Sequence, residues 1–189
     1  MDEELRAELL ARREEDQRIR TAGKPGDRLT PAQLNEWHRI DEGNTLWLND
    51  LVDRLGWPSI SLVGEDGAQA AWLFAQHASQ HPDLQRKFLG LLRDAVAAGE
   101  APPRHLAYLE DRVRVHEGLP QLYGTQFTQV VLEYRWDPFP IEDPEHVDER
   151  RAAVGLSPLA EYAATMNSRH SSGGAAAGSS TTGDSAPVG

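Results

Sequence analysis

Cysteine is absent from this chain of 189 residues, which excludes disulfides, thiolate zinc sites, iron–sulfur clusters and cysteine nucleophiles. Long apolar runs are absent as well. The longest extends from Ala70 to Ala75, whereas a helix that crosses a membrane needs roughly 20 apolar residues. The first residues, MDEELRAELLARREEDQ, are charged from the second position onward, which is not the pattern of a secretory signal. We therefore expect a soluble, cytoplasmic protein without membrane association.

Positive charge is scarce compared with negative charge. The sequence has 30 Asp and Glu residues but 19 Lys and Arg residues, and its formal net charge is −11. Nucleic acids and anionic membrane surfaces are themselves negatively charged and repel such a chain. We therefore expect no nucleic-acid partner.

The end of the chain lacks the side chains that build a core. Residues 168–189 contain no Leu, Ile, Phe, Tyr or Trp, and Val188 is their only branched aliphatic residue. Such a segment cannot bury enough apolar surface to offset the entropy that it loses on ordering. The sequence therefore predicts a disordered tail over residues 168–189 and a single globular domain over residues 1–167.

The spacing of apolar residues in this domain is mainly helical, and Gly and Pro residues mark most of the ends. It predicts a short helix that Thr30 caps and Pro31 begins, and further helices over residues 2–21, 41–55, 64–79, 82–98, 103–117, 143–154 and 158–166. Residues 126–136 are rich in β-branched and aromatic side chains and predict a strand, with residues 119–125 as its hairpin partner. The predicted fold is a mainly α, bundle-like domain of several helices with a small β-hairpin.

Four polar residues lie on helix faces that should be apolar. At about 100° per residue around a helix, His77 falls in the middle of the apolar face of its helix. Gln85, Asp111 and Asp16 lie among the apolar side chains of their own helices in the same way. Burying a polar group without a hydrogen-bond partner costs about 1–3 kcal/mol, so we expect some of these residues to contact each other. A contact between His77 and one of the aspartates would fix the imidazole tautomer and shift its pKa, as general-base catalysis requires.

Each of these residues also has an ordinary structural explanation. A histidine on an apolar face is more often a core residue with satisfied hydrogen bonds than a catalyst. Gln85 lies in the first turn of its helix, where it could satisfy free backbone N–H groups. Asp16 can pair with Arg12 or Arg20 at four-residue spacing, and Asp111 can pair with neighbouring arginines.

Motifs for metals, phosphates and nucleophiles are weak or missing. His77 and His81 have the spacing of two ligands on one helix, but no Glu follows the first and His81 precedes a proline, so we expect no metal site. The segment GEDG over residues 64–67 lacks the lysine of a phosphate loop, and no serine lies in a G-x-S-x-G turn. We expect no cofactor. The polar segment GLPQLYGTQF over residues 118–127 is either a hairpin turn or a wall of amide and backbone groups around a pocket.

A series of short segments gives the chain a family resemblance. They are Glu15-Asp16-Gln17 with Arg20, Gly56-Trp57-Pro58, Ala71-Trp72-Leu73 leading to Gln76-His77, Gln85, Ala107-Tyr108-Leu109 with Asp111-Arg112-Val113, and Pro120-Gln121 with Tyr123-Gly124-Thr125-Gln126. Each segment alone is weak, but in this order, over about residues 5–162, they resemble an uncharacterised bacterial family of domains of unknown function. The resemblance implies no particular activity. It does imply that these mostly polar positions belong to one site.

These observations lead to two functional hypotheses. In the first, a polar pocket binds a small polar molecule or a peptide group and performs acid–base chemistry, with His77 as base or acid, Asp111 as its orienter and Arg112 as a clamp for an anion or carboxylate. The predicted catalytic residues are His77, Asp111 and Tyr123. The predicted ligand-binding residues are Asp16, Gln17, Gln76, Gln85, Arg112, Gln121 and Gln126. In the second hypothesis, the same residues form a buried structural network in a non-catalytic module that binds a protein partner.

Overall fold

The computed structural model describes residues 1–21, 29–130 and 135–171 of the chain. Within these ranges the chain forms seven α-helices and one two-stranded antiparallel hairpin. The elements are α1 (Glu3–Thr21), α2 (Pro31–Leu55), α3 (Ile60–His77), α4 (Pro82–Ala97), α5 (Pro103–His116), β1 (Phe127–Val130), β2 (Arg135–Pro138), α6 (Val147–Ala153) and α7 (Leu159–Ser171). The mainly α fold with a small hairpin that the sequence predicts is confirmed.

Helix α2 is one long helix where the sequence predicts two shorter ones. Thr30 begins it with a capping box, in which its side chain accepts a hydrogen bond from the Gln33 N–H and the Gln33 side chain accepts one from the Thr30 N–H. No further proline interrupts the helix, and a glycine such as Gly43 costs only about 1 kcal/mol in a helix interior. The predicted start of a separate helix at Asp41 is therefore wrong.

Helices α3 to α5 follow the predicted bounds closely. Helix α3 begins earlier than predicted, at Ile60, because the Ser59 side chain caps it by accepting a backbone N–H. The predicted start, Gly64, is instead a kink inside the helix with a φ of +75°, a conformation that glycine adopts at little cost. Pro82 and Pro103 begin α4 and α5, as predicted.

The hairpin lies further along the chain than predicted. Strands β1 and β2 pair so that Phe127 lies opposite Pro138. All of β1 and the first half of β2 come from the region predicted as one strand. Residues 119–125, the predicted partner strand, form a loop in which Gln121 makes an isolated bridge. They cannot join a ladder, because the backbone N–H groups of three of them bond to the carboxylate of Asp111.

Helices α6 and α7 complete the described part of the chain. A 3-10 turn over Pro144–His146 leads into α6, so the predicted helix over residues 143–154 is confirmed in part. Helix α7 continues to Ser171, beyond its predicted end at residue 166. The rest of the predicted disordered tail, residues 172–189, lies outside the described residues, and its disorder stays a prediction.

The core lies where α1 to α5 pack together. Its fully buried apolar side chains include Leu9, Leu48, Val63, Phe74, Phe88, Leu92 and Leu109. Helix α1 packs along α3, and the Arg6 guanidinium ties the two together through bonds of 2.9 and 2.7 Å to the Asp66 carboxylate. No helix among the described residues is both long and apolar enough to cross a membrane.

Candidate functional site

Two side chains from different helices meet where α1 passes the end of α3. Nδ1 of His77, the last residue of α3, lies 2.9 Å from Oδ1 of Asp16 on α1. Burial raises the pKa of Asp16, but hydrogen bonds from His77 and Arg20 lower it by more, so the pKa of Asp16 lies below its ordinary value. An ionised carboxylate only accepts hydrogen bonds, so Nδ1 is the donor and carries the ring proton. The other ring nitrogen, Nε2, has no hydrogen bond to a described residue and is not sealed from solvent.

Arg20 neutralises Asp16 together with a second acid, Asp41 of α2. The Arg20 guanidinium donates to both oxygens of Asp16 at 3.2 Å and makes a short bond to Oδ1 of Asp41. It also lies over the indole of Trp37, 4.5 Å from the ring centroid, while the indole N–H donates to Oδ2 of Asp41 at 2.8 Å. The Gln17 amide donates to Asp16 at 2.7 Å. These bonds tie α1 to α2 around the carboxylate that holds the imidazole.

The same cluster has the spacing of a metal site. One ligand atom from each of Asp16, Asp41 and His77 lies within 4.8 Å of the other two, close enough to surround a single ion. However, Arg20 already donates to both carboxylates and supplies the positive charge that an ion would bring. A divalent cation would have to displace this guanidinium, so the cluster as it stands is an ion-pair network.

Beside His77, Gln76 faces Arg112 of α5. The Arg112 Nε–H donates to Oε1 of Gln76 at 2.8 Å. Gln76 is 4% exposed, and its Nε2 is fully buried without a hydrogen-bond partner among the described residues. Burial lowers the pKa of Arg112, and the positive charge of Arg20 lowers it further. Because Gln76 directly precedes His77, the Gln76–Arg112 pair lies beside the cluster around Asp16.

Gln85 supports the end of α3 from the neighbouring helix α4. Its Nε2 donates to the carbonyl oxygens of Ala75 and Gln76, at 3.0 and 3.3 Å. These carbonyls belong to the last turn of α3, where intrahelical donors run out, although the Ala78 N–H also donates to Ala75. Gln85 therefore holds the turn that carries Gln76 and His77, and its amide bonds to the preceding helix rather than to N–H groups of its own.

Asp111 precedes Arg112 in α5 but has different partners. Its buried carboxylate accepts hydrogen bonds of 2.7 to 3.2 Å from the backbone N–H groups of Leu122, Tyr123 and Thr125 and from the Thr125 hydroxyl. Burial raises the pKa of Asp111 in spite of these bonds. The predicted contact between Asp111 and His77 is therefore wrong, because Asp16 holds the imidazole and Asp111 holds a loop.

The loop over residues 121–126 is bonded from both sides. The buried amide of Gln121 donates to the carbonyl oxygen of Gln126 at 3.0 Å and accepts the Gln126 N–H at 2.9 Å. Arg151 of α6 is 1% exposed and donates to the carbonyl oxygen of Tyr123 at 2.6 Å. Burial raises the pKa of the Tyr123 phenol. Two buried charged residues, Asp111 and Arg151, thus hold the loop over residues 121–126 in place from opposite sides.

The predicted site residues fall into two groups. Those near the imidazole are Asp16, Gln17, Gln76, His77 and Arg112, with Gln85 behind them. Those of the loop and its support are Asp111, Gln121, Tyr123 and Gln126. The two groups meet in α5, where Asp111 and Arg112 are adjacent in sequence.

Three residues of the cluster, Arg20, Trp37 and Asp41, lie outside the predicted site residues, although the sequence does suggest Arg20 as a partner of Asp16. The signal for Asp41 is present in the sequence once α2 is treated as one helix. Asp41 then shares a face with Thr45, Leu48 and Val52, which follow at helical spacing and are buried. It is one more acid on an apolar face, like Asp16. Trp37 carries no comparable signal, because its role depends on Arg20 from another helix.

In the described part of the chain, one half-open cleft includes Gln85 and another lies at the opposite end of α3 from His77. The first, of about 320 Å³ between α4 and α5, is lined by Pro82, Gln85, Arg86, Val113, His116 and Glu117. His116 lies one helical turn after Arg112 on α5, and burial and the charge of Arg112 lower the pKa of His116. The second, of about 310 Å³, lies between the beginnings of α3 and α5. It is lined in part by His105, which stacks on Trp72 with the ring centroids 4.3 Å apart.

Comparison with known proteins gives a family but no activity. The model of a family of unknown function, DUF6624, matches residues 3–171. No curated protein and no solved structure matches the chain. The predicted resemblance to a family of domains of unknown function is confirmed.

Proposed function

We propose a function from the site itself, because the chain belongs to DUF6624, a family of unknown function. In this proposal the protein binds a small polar molecule or a peptide group beside His77 and moves a proton to or from it. His77 is the general base or acid. Asp16 takes the orienting role that the sequence suggests for Asp111.

One observation carries the proposal: a buried carboxylate fixes the tautomer of His77. Nδ1 donates to Asp16 at 2.9 Å, so Nε2 of the neutral imidazole keeps its lone pair. Nε2 has no hydrogen bond to a described residue, and the His77 side chain is 16% exposed. A general base needs a free lone pair, a fixed orientation and access to its substrate. The pairing of an imidazole with a buried carboxylate supplies the first two, and the remaining exposure supplies the third.

The other proposed site residues bind or position rather than transfer protons. The amides of Gln17 and Gln76 can orient a polar ligand without adding charge. Asp111 is a positioning residue, because its carboxylate is committed to backbone N–H groups of the loop. The pKa of Tyr123 is raised by burial, so its phenol stays protonated at neutral pH. In this proposal Tyr123 donates a hydrogen bond rather than acting as a base.

The substitution His77→Gln tests the proposal. A carboxamide replaces one imidazole hydrogen bond at similar volume, so the variant should fold with a nearly unchanged Tm. Small molecules retained by the purified protein are identified by mass spectrometry, and their retention should fall at least about tenfold, with any turnover reduced by about 10²–10⁴. The exposed His38 on α2 gives the matched control, since His38→Gln should change neither quantity.

A non-catalytic interaction module is the alternative, and one observation favours it. The carboxylate oxygens of Asp16 and Asp41 are all bonded within the protein, as in a network that serves only to specify the fold. If His77 belongs to such a network, His77→Gln should lower the free energy of unfolding by about 1–3 kcal/mol. Retention of small molecules would then be undiminished, and that result would overturn the acid–base proposal.

A further inference from the structure

We propose that the side chains of Gln76 and Arg112 form a carboxylate subsite, so that the molecule bound next to His77 is a carboxylic acid. The inference rests on the proposed function only for the statement that one ligand contacts both His77 and the subsite at Gln76 and Arg112. The subsite itself is argued from hydrogen-bond donors that have no acceptor.

The first such donor is the amide nitrogen of Gln76. The orientation of this amide is fixed, because the Arg112 guanidinium has only donors and therefore must face Oε1. Nε2 consequently points elsewhere, and it is fully buried without an acceptor among the described residues. A buried donor left unpaired costs about 1–3 kcal/mol. An oxygen atom of a ligand would remove that cost.

The second donor group is the guanidinium of Arg112. Its hydrogen bond to the neutral Gln76 is the only one that it makes to a described residue, and it has no salt bridge to a described carboxylate. By contrast, Arg20 pairs with Asp16 and Asp41, and the buried Arg151 donates to the carbonyl oxygens of Ser157 and Tyr123. A largely buried cation without a counter-ion is costly. The missing partner is therefore an anion.

The charges around the subsite favour a monoanion over a dianion. Asp16 and Asp41 bring two negative charges near the subsite, and Arg20 pairs with both of them. Arg112 bonds to neither, so its charge is the one in this group that an anionic ligand would meet directly. A carboxylate adds one negative charge, which Arg112 contacts directly, whereas a phosphate dianion would add two in the same buried region. The planar guanidinium also matches the two oxygens of a carboxylate in a parallel pair of hydrogen bonds.

The test is a titration of the full chain, labelled with ¹⁵N, with sodium acetate at constant ionic strength set by chloride. We expect saturable shifts of the Gln76 side-chain amide and the Arg112 Nε–H signals. Acetamide, which has nearly the same shape without the charge, should cause no such shifts. Phosphate should shift them only at much higher concentration. Equal responses to acetate and acetamide, or a stronger response to phosphate, would overturn the carboxylate assignment.

Variants separate this inference from the proposed function. Arg112→Met should raise the Kd for acetate at least about tenfold, whereas Arg104→Met, at an exposed arginine of the same helix, should leave it unchanged. His77→Gln should keep acetate binding, since His77 is not part of the subsite. If acetate binds but His77→Gln leaves retention and turnover intact, the subsite stands and the acid–base role fails. If Arg112→Met does not fold, the comparison of acetate with acetamide on the unaltered protein decides alone.

Discussion

Asp16 and His77 are 61 positions apart in the chain, yet Oδ1 of the first lies 2.9 Å from Nδ1 of the second. The contact joins the first helix to the end of the third, and the Asp16 side chain is only 1% exposed. Arg20 bonds to the same carboxylate. Removing this one group would therefore leave the imidazole N–H without its acceptor and the guanidinium with Asp41 as its remaining acid.

The first prediction concerns the stability of that contact. We expect Asp16→Ala to lower the free energy of unfolding by about 3–5 kcal/mol, as breaking a buried ion pair does. Urea unfolding measures the loss. The neighbouring acid Glu15 is exposed and pairs with Arg18 on the surface, so Glu15→Ala should cost less than about 1 kcal/mol. Similar losses for the two variants would contradict a buried role for Asp16.

The second prediction concerns pH and His105. Burial, with a smaller effect from the charge of Arg104, lowers the pKa of His105 to about 4. The unfolded state, with a pKa near 6.5, therefore binds a proton before the folded state does, and the stabilisation is complete above about pH 6.5 and is lost as the pH falls toward 4. The loss amounts to about 3 kcal/mol by pH 4.

The comparison with a variant isolates this contribution from the titration of carboxylates. In His105→Phe, which keeps an aromatic ring against Trp72, the free energy of unfolding should fall less steeply between pH 7 and pH 4. Parallel pH profiles for the two proteins would show that His105 takes up its proton normally in the folded state.

The third prediction uses two glycines. Gly124 lies in the loop with a φ of +67°, and a Cβ added there would lie 2.7 Å from a methyl carbon of Leu159. Gly124→Ala should therefore destabilise the protein by about 1–3 kcal/mol. Gly43 lies exposed within α2, where an added Cβ meets no atom within 4 Å, so Gly43→Ala should stabilise it by about 0.5–1 kcal/mol. Thermal unfolding measures both changes in stability. If the two variants changed stability in the same direction, the difference that we assign to the two glycines would be wrong.

The fourth prediction concerns the support of α3 by Gln85. Gln85→Leu keeps a similar side-chain volume but removes the side-chain donor to the carbonyls of Ala75 and Gln76, so we expect a loss of about 1–3 kcal/mol. The NMR signals of the His77 ring should shift as well, because the turn that carries it is released. Gln69→Leu, at an exposed position on α3, should do neither. If the His77 signals of Gln85→Leu did not shift, the last turn of α3 would not depend on Gln85 for its structure.

The fifth prediction concerns the end of the chain. Residues 172–189 contain no large apolar side chain other than Val188, so they have little to contribute to a core. A chain that ends at Ser171 should keep the Tm of the full chain. A Tm lower by several degrees would mean that the removed segment docks on the domain.

Local signals predict the helices and the burial of the polar residues well. Pro82 and Pro103 mark the starts of α4 and α5, and Asp16, Gln85 and Asp111 are all buried, as their positions on apolar faces predict. The hydrogen-bond partners of these residues could not be predicted in the same way. Which carboxylate meets His77 depends on how α1 packs along α3, and that packing leaves no trace in the spacing within either helix.

The misplaced hairpin has a similar cause. Residues 119–125 have the composition of a strand edge, but three of their N–H groups bond to Asp111 instead of to a neighbouring strand. A side chain on α5 thus competes with the ladder for the same donors. Propensity describes the segment itself and contains no information about a carboxylate that reaches it from a helix.

Asp111 and Arg112 are adjacent on α5 and serve different partners, the loop and Gln76. Because each helical residue turns the chain by about 100°, an insertion or deletion of one residue earlier in α5 would rotate both side chains away from their partners together. The contact of Asp111 with the loop and the contact of Arg112 with Gln76 would be lost together, and neither could be restored without the other. Natural variation at this helix should therefore proceed by exchange of residues at constant length, while changes of length should accumulate in the connections between the helices.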